Sequence, residues 1–162
     1  MKKLFLLFIS FIIIILFQKA IAITIFSDEF ESGNLNAWNR TNVAGARNWT
    51  ANQTNPFQGS WHAQSQPVST SEPASVISIN ISTLGYQNIS VFYYRKLVGI
   101  DAADEFQMEW FNGTGWTILE QTGGSSANDA NYLVRNFNLS SIANNNTNFR
   151  IKFECIFGII AN

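Results

Sequence analysis

Two hydrophobic rhythms divide this chain. From Leu4 to Phe17 apolar residues follow one another with a single interruption at Ser10, whereas beyond Ala22 they recur at every second position in short stretches. The second rhythm is that of a half-buried β-strand, whose side chains point alternately to core and solvent. Phe149, Ile151, Phe153 and Cys155 alternate with Arg150, Lys152 and Glu154, which predicts a strand and places Cys155 on its inward face. Phe106, Met108 and Trp110 share a face opposite Glu105, Gln107 and Glu109. Leu133, Arg135, Phe137 and Leu139 alternate with Tyr132, Val134 and Asn136, and Ile77, Ile79 and Ile81 are expected to face inward against Ser78 and Asn80.

Between these stretches lie clusters of Gly, Asn, Ser and Pro. Asn112-Gly113-Thr114-Gly115 suits a chain reversal, because Asn and Gly tolerate positive φ. It predicts a hairpin joining 106–111 to 116–120. Gly123-Gly124-Ser125-Ser126 and Asn144-Asn145-Asn146 read as loops. Eight to ten strands are expected between Ile25 and Phe157, with no helical periodicity, repeat or linker. The fold class is therefore all-β, a two-sheet antiparallel β-sandwich of jelly-roll type preceded by an N-terminal hydrophobic signal helix.

The first rhythm needs a different medium. Lys2 and Lys3 precede the 14-residue apolar run, Gln18 and Lys19 close it, and Ala20-Ile21-Ala22 supplies the small residues of a cleavage site. A membrane-spanning helix takes about 20 apolar residues, a secretory leader about 7–15. Residues 1–22 thus read as a signal peptide, with 23–162 as one β-sandwich domain of a secreted or cell-surface protein. Ile21, Ile23 and Ile25 keep the alternative of an uncleaved anchor open, and a membrane association is expected only in that case. Without the leader, seven basic residues face eleven acidic ones, a net charge of −4. With charges scattered and no basic patch, nucleic acid is not an expected partner. Cys155 is the sole cysteine, and the apolar stretch 156–160 reaches almost to Asn162. The expectation is a sandwich whose closing strand lies beyond this sequence.

Several segments in order resemble the MAM-type and related jelly-roll domains of secreted and surface proteins, which are similar to concanavalin-like sandwiches. They are Phe26-Ser27-Asp28-Glu29-Phe30-Glu31-Ser32-Gly33 with Trp38 after it, Gly59-Ser60-Trp61-His62-Ala63, residues 89–96, residues 104–111, Gly115-Trp116-Thr117 and residues 149–153. The resemblance implies a recognition or adhesion role and covers about 26–157. The paired cysteines of that family are missing here apart from Cys155. Related jelly rolls hold a structural calcium ion, so the resemblance makes Asp28, Glu29 and Glu31 candidate oxygen ligands; a solvated acidic edge is the plain alternative. Asp101, Asp104 and Glu105 form a second acidic cluster.

Catalytic constellations are weak. His62 is the sole histidine and has no acidic orienter near it in sequence. Glu105-x-Gln107-x-Glu109 resembles the Glu-x-Asp-x-Glu strand of concanavalin-like glycoside hydrolases, with Gln107 in place of the Asp. Retaining hydrolysis needs carboxyls about 5–5.5 Å apart, whereas positions i and i+4 of a strand lie about 13 Å apart. Flat aromatic side chains offer another chemistry, since they stack on sugar rings. Trp49 and Trp61, flanking the loop 52–59, and Trp116, beside the 112–115 turn, are the candidates for exposure, and Trp110 is assigned to the core. Asn39, Asn48, Asn52, Asn80, Asn88, Asn112, Asn138 and Asn145 each begin an Asn-x-Ser/Thr sequon, with Asn80 placed inside a predicted strand. The expected function is a non-catalytic module that binds glycan or a surface protein. The alternatives are a glycan hydrolase using Glu105 and Glu109, and a structural piece of a larger surface protein.

Overall fold

The computed structural model describes residues 22–41, 49–66 and 73–156. The leader apart from Ala22, together with Asn48 and the stretch 157–162, lies outside them. Nine strands are formed among the described residues: β1 (Trp38–Thr41), β2 (Trp49–Asn52), β3 (His62–Ser65), β4 (Pro73–Ser78), β5 (Ser90–Arg95), β6 (Glu105–Phe111), β7 (Trp116–Gly123), β8 (Leu133–Asn138) and β9 (Arg150–Ile156). All pair antiparallel. One sheet has the order β1-β4-β9-β6-β7, and two smaller sheets are β2-β3 and β5-β8. The architecture is the all-β sandwich that the alternation predicts. The pairs β6·β7, β5·β8 and β4·β9 are nested one around another, as in a long hairpin rolled onto itself.

The hairpin at 112–115 forms as its residues dictate. Gly113 takes φ 103°, and the Asn112 side-chain oxygen accepts the N–H groups of Thr114 and Gly115, each at 2.9 Å. Register then sorts the faces. Phe106, Met108 and Trp110 of β6 stand opposite Cys155, Phe153 and Ile151 of β9, and the first two of these in turn pass Ala74 and Val76 of β4. Met108 and Ala74 are fully buried, and Trp110 is 3% exposed. Phe153 sits at the centre, with Trp38, Trp49, Tyr93 and Phe106 all 5.0–6.3 Å from it, centroid to centroid.

The isoleucine face of β4 differs from the expectation. Ala74, Val76 and Ser78 point inward, while Ile77 is half-buried and Ile79 exposed. A polar residue is accepted inside because the Ser78 hydroxyl takes the N–H of Ile151 at 3.0 Å. The strand ends at Ser78, and the chain changes phase so that Ile81, bridged to Phe149, returns to the core. Alternation alone could not see a hydroxyl that pairs with a neighbouring backbone.

The β5-β8 sheet is held over β6, β7 and β9 by charge. In β7 the register slips, with Met108 opposite Glu120 and Glu109 opposite Ile118, so Leu119 is an extra residue. This bulge turns Glu120 inward and Ile118 outward. The Glu120 carboxylate accepts Arg95 at 2.7 Å, Arg135 at 2.8 Å and the Tyr93 hydroxyl. Arg95 reaches Asp129 at 3.1 Å, whose second oxygen accepts the Leu97 N–H at 2.8 Å. Glu120, Arg95 and Asp129 side chains are all under 10% exposed. Burial and the Glu120 contact hold the Tyr93 phenol far above its usual range.

Removing one partner of such a buried network leaves the others uncompensated. Glu120→Gln is expected to lower stability by about 3–5 kcal/mol, read as a lower urea midpoint at unchanged slope. Cys155 gives a pH signature. Burial pushes its thiol up to about 12, against about 8.5 in an unfolded chain. The unfolded state therefore releases a proton that the folded state keeps, and the thiol's contribution is full below the unfolded value and lost as pH rises toward 12. Urea unfolding from pH 9 upward should show stability falling by about 1.4 kcal/mol per pH unit from this group, and Cys155→Ala should remove that part of the slope.

Candidate functional site

The acidic opening segment is spent on the fold. The Asp28 side chain accepts the Phe30 N–H at 2.8 Å with one oxygen and the Trp38 indole N–H at 2.7 Å with the other. Glu31 accepts the N–H groups of Ser60 at 2.9 Å and Trp61 at 3.0 Å, thirty residues along the chain. Glu29 is exposed. Asp28 and Glu31 are thus turned to different partners, and among the described residues no three Asp, Glu, His or Cys side chains are grouped as metal ligands. Gly59, at φ +70°, makes the Glu31 contact possible, because a Cβ there would collide with the carboxylate.

The three candidate tryptophans part ways. Trp49 is buried, in correction of its expected exposure. It packs on Phe153, and its indole N–H donates to the Ala74 carbonyl at 3.0 Å, so the ring has a core role with its polar atom satisfied. Trp61 is half-buried against the turn at Gly33, where a Cβ would stand only 3.1 Å from the indole. His62 beside it is half-buried, and desolvation lowers its pKa. Trp116 is half-buried on the outer face of the five-stranded sheet. There Phe111 of β6 stands opposite both Trp116 of β7 and Arg150 of β9, making one row across three strands. The Arg150 guanidinium lies 4.2 Å from the Phe111 ring centre and 5.6 Å from that of Trp116. In the next row Lys152 pairs with Glu109 at 2.6 Å and with Glu154 at 3.5 Å.

Glu105 and Glu109 share this outer face. Glu105 accepts the Gln107 side-chain amide, and Glu109, 6% exposed, is neutralised by Lys152. The Asp101–Glu105 cluster serves a turn, with Asp104 accepting the Asp101 N–H at 3.1 Å and Asp101 the Ala103 N–H at 2.9 Å. Of the sequon residues, Asn39, Asn80, Asn88, Asn138 and Asn145 are exposed, Asn80 just beyond the end of β4. Asn52 and Asn112 are half-buried, each with its side-chain oxygen bonded to a turn N–H.

An aromatic surface that sequence reading did not single out lies on the outer face of β5-β8. Phe92 and Tyr94 point outward at 55% and 41% exposure. Phe57, 46% exposed, reaches over from the loop after β2, stacks on Tyr94 with centroids 3.7 Å apart, and meets Tyr132 edge-on at 5.4 Å. The Tyr132 hydroxyl donates to the Asn55 carbonyl at 2.9 Å and ties that loop in place, while the Lys96 ammonium lies 5.7 Å over its ring. The alternation of β5 carried part of this signal: Val91, Tyr93 and Arg95 on one face leave Phe92 and Tyr94 on the other. The rings Phe57, Phe92, Tyr94 and Tyr132 are among the lining of a cleft of about 1310 Å³, which β3 and the core rings Phe106, Phe149 and Phe153 also line.

Comparison with known proteins returns the scaffold. No family model matches the chain, and no curated protein matches it. A solved structure that resembles it is TmCBM61, described in complex with beta-1,4-galactotriose. The TM-score is 0.52 at 12% identity, over 80% of this chain and 83% of that one. This likeness supports the β-sandwich fold and does not single out the MAM type.

The Glu31–Gly59 contact is testable. Gly59→Ala forces a side chain into both the carboxylate and a left-handed φ, and should cost about 1–3 kcal/mol. Glu31→Gln should leave the added methyl at position 59 as badly placed, so the two changes combined should unfold at no higher urea than Gly59→Ala alone.

Proposed function

We propose that this chain is an exported, non-catalytic module that binds glycan through the aromatic surface of β5-β8. The observation that carries the reading is the cluster of Phe57, Phe92 and Tyr94, three rings 41–55% exposed that stand in contact with one another on one surface. Ring faces in water gain by covering the C–H faces of a sugar, and their rigid side chains lose little entropy in doing so. The pre-stacked Phe57–Tyr94 pair holds the surface in shape before any ligand arrives. Asn136, opposite Phe92 in β8 but exposed, and Lys96 supply hydrogen-bonding groups at its margins. The kinship of fold with TmCBM61, described with a galactotriose, agrees with this use of the scaffold.

Export is part of the same proposal and is supported by the 14-residue apolar run with its Ala20-Ile21-Ala22 step, and by the exposed sequon residues. Cleavage after Ala22 would release the domain, whereas a retained leader would display it on the membrane. Kinship with MAM-type domains would make the partner a surface protein.

A panel of immobilised neutral glycans, galactans included, tests the central reading with the domain 23–162. Binding of at least one glycan is expected, weakened at least tenfold by Tyr94→Ala and by Phe92→Ala at unchanged far-UV circular dichroism. No reducing ends should be released from any bound glycan. Binding that ignores both substitutions, or none across the panel, would sink the assignment, and hydrolysis lost in Glu105→Gln or Glu109→Gln would favour the enzyme instead.

A further inference from the structure

The row Trp116–Phe111–Arg150 lies on the outer face of the other layer and is not used by the reading above. Its chemistry differs. Arg95 and Arg135 meet Glu120, and Lys152 meets Glu109 and Glu154. Arg150 has no carboxylate partner among the described residues. Its Nε is buried without a hydrogen-bond partner, and its guanidinium rests on the Phe111 ring. A guanidinium stacked in this way is fixed in orientation and partly stripped of water, while its N–H edge stays directed along the plane. That is a fork whose complement is a planar carboxylate, taken bidentately.

We propose that the Trp116–Arg150 row is a second binding site, selective for a saccharide bearing a carboxylate. Arg150 takes the carboxylate through its N–H edge. The half-buried indole of Trp116 covers the apolar flank of the sugar ring. Lys152, 5.1 Å over the Trp116 ring, adds positive potential without being free to pair, since Glu109 and Glu154 already hold it. Those same two carboxylates, with Glu105 further along β6, set the limit of the site. They repel charge placed toward the centre of the sheet, so a short uronate whose other residues extend away from that centre is favoured over a long polyanion laid across it. The preference for a sugar over an acidic peptide rests on the neighbouring indole.

Calorimetric titration of the domain 23–162 with trigalacturonate, neutral galactotriose and a tri-glutamate peptide tests this. Trigalacturonate is expected to bind, more weakly as salt rises from about 50 to about 500 mM, and at least tenfold more weakly in Arg150→Gln. Arg150→Lys keeps the charge but loses the fork and should recover only part of the affinity, which separates recognition from a fold that needs a cation. Galactotriose binding should be indifferent to Arg150→Gln and lost in Tyr94→Ala, so failure at one surface is distinguishable from failure at the other. Trigalacturonate that does not bind, binds unchanged in Arg150→Gln, or binds no better than tri-glutamate overturns the proposal.

Discussion

A carboxylate buried between two sheets must be answered by donors, and in this molecule the answer comes from the opposite layer. Glu120 belongs to the five-stranded sheet, whereas Arg95, Arg135 and Tyr93 belong to β5-β8. Each side would be left with uncompensated buried polar groups if the layers parted. Apolar contact alone is tolerant of small slips, but a directional network of charged groups is not. The ion pairs therefore set how β5-β8 lies over its partner sheet, and the rings of Tyr93 and Phe153 pack within that setting. The bulge at Leu119 is what aims Glu120 inward, so a single extra residue in β7 decides the relation of the two layers.

That constraint reaches both outer surfaces. With Val91, Tyr93 and Arg95 committed to the interior, strand alternation obliges Phe92 and Tyr94 to face solvent. On the other layer, the register that brings Met108 opposite Phe153 also brings Phe111 opposite Arg150 and Trp116. The two aromatic surfaces are thus consequences of how the core is aligned. They differ in charge: one is nearly neutral, and the other carries a stacked guanidinium.

Much of the architecture was legible because it rests on local periodicity. The alternations of β6 and β9 and the Asn112–Gly115 turn each carry their own instructions within a few residues. Failures arose where a distant partner changed the meaning of a residue. Ser78 faces inward because Ile151, 73 residues away, offers it an N–H. Trp49 was expected at the surface from the loop beside it, yet the Ala74 carbonyl satisfies its indole in the core. Glu31 has the look of a metal ligand in sequence but serves the 59–61 backbone. The exposed rings of β5 were half legible, since alternation marked Phe92 and Tyr94, but nothing local announced that Phe57 would cross to meet them.

The nested pairing of strands also shapes the route to the folded state. Taken alone, β4 and β9 must meet across about 75 residues, a costly closure that local structure does not reward. Once β6·β7 has closed, β5 and β8 are separated by free segments of only about ten residues on each side, and once they pair, β4 and β9 are separated by about twelve. Since each doubling of a free loop costs about 0.6 kcal/mol, shrinking the loop before every new rung saves about 1 kcal/mol at the outermost one. The short turn at Asn112–Gly115 is then more than a reversal of direction. It is the innermost point of a zipper, from which long-range pairings are reached as a series of nearly local ones.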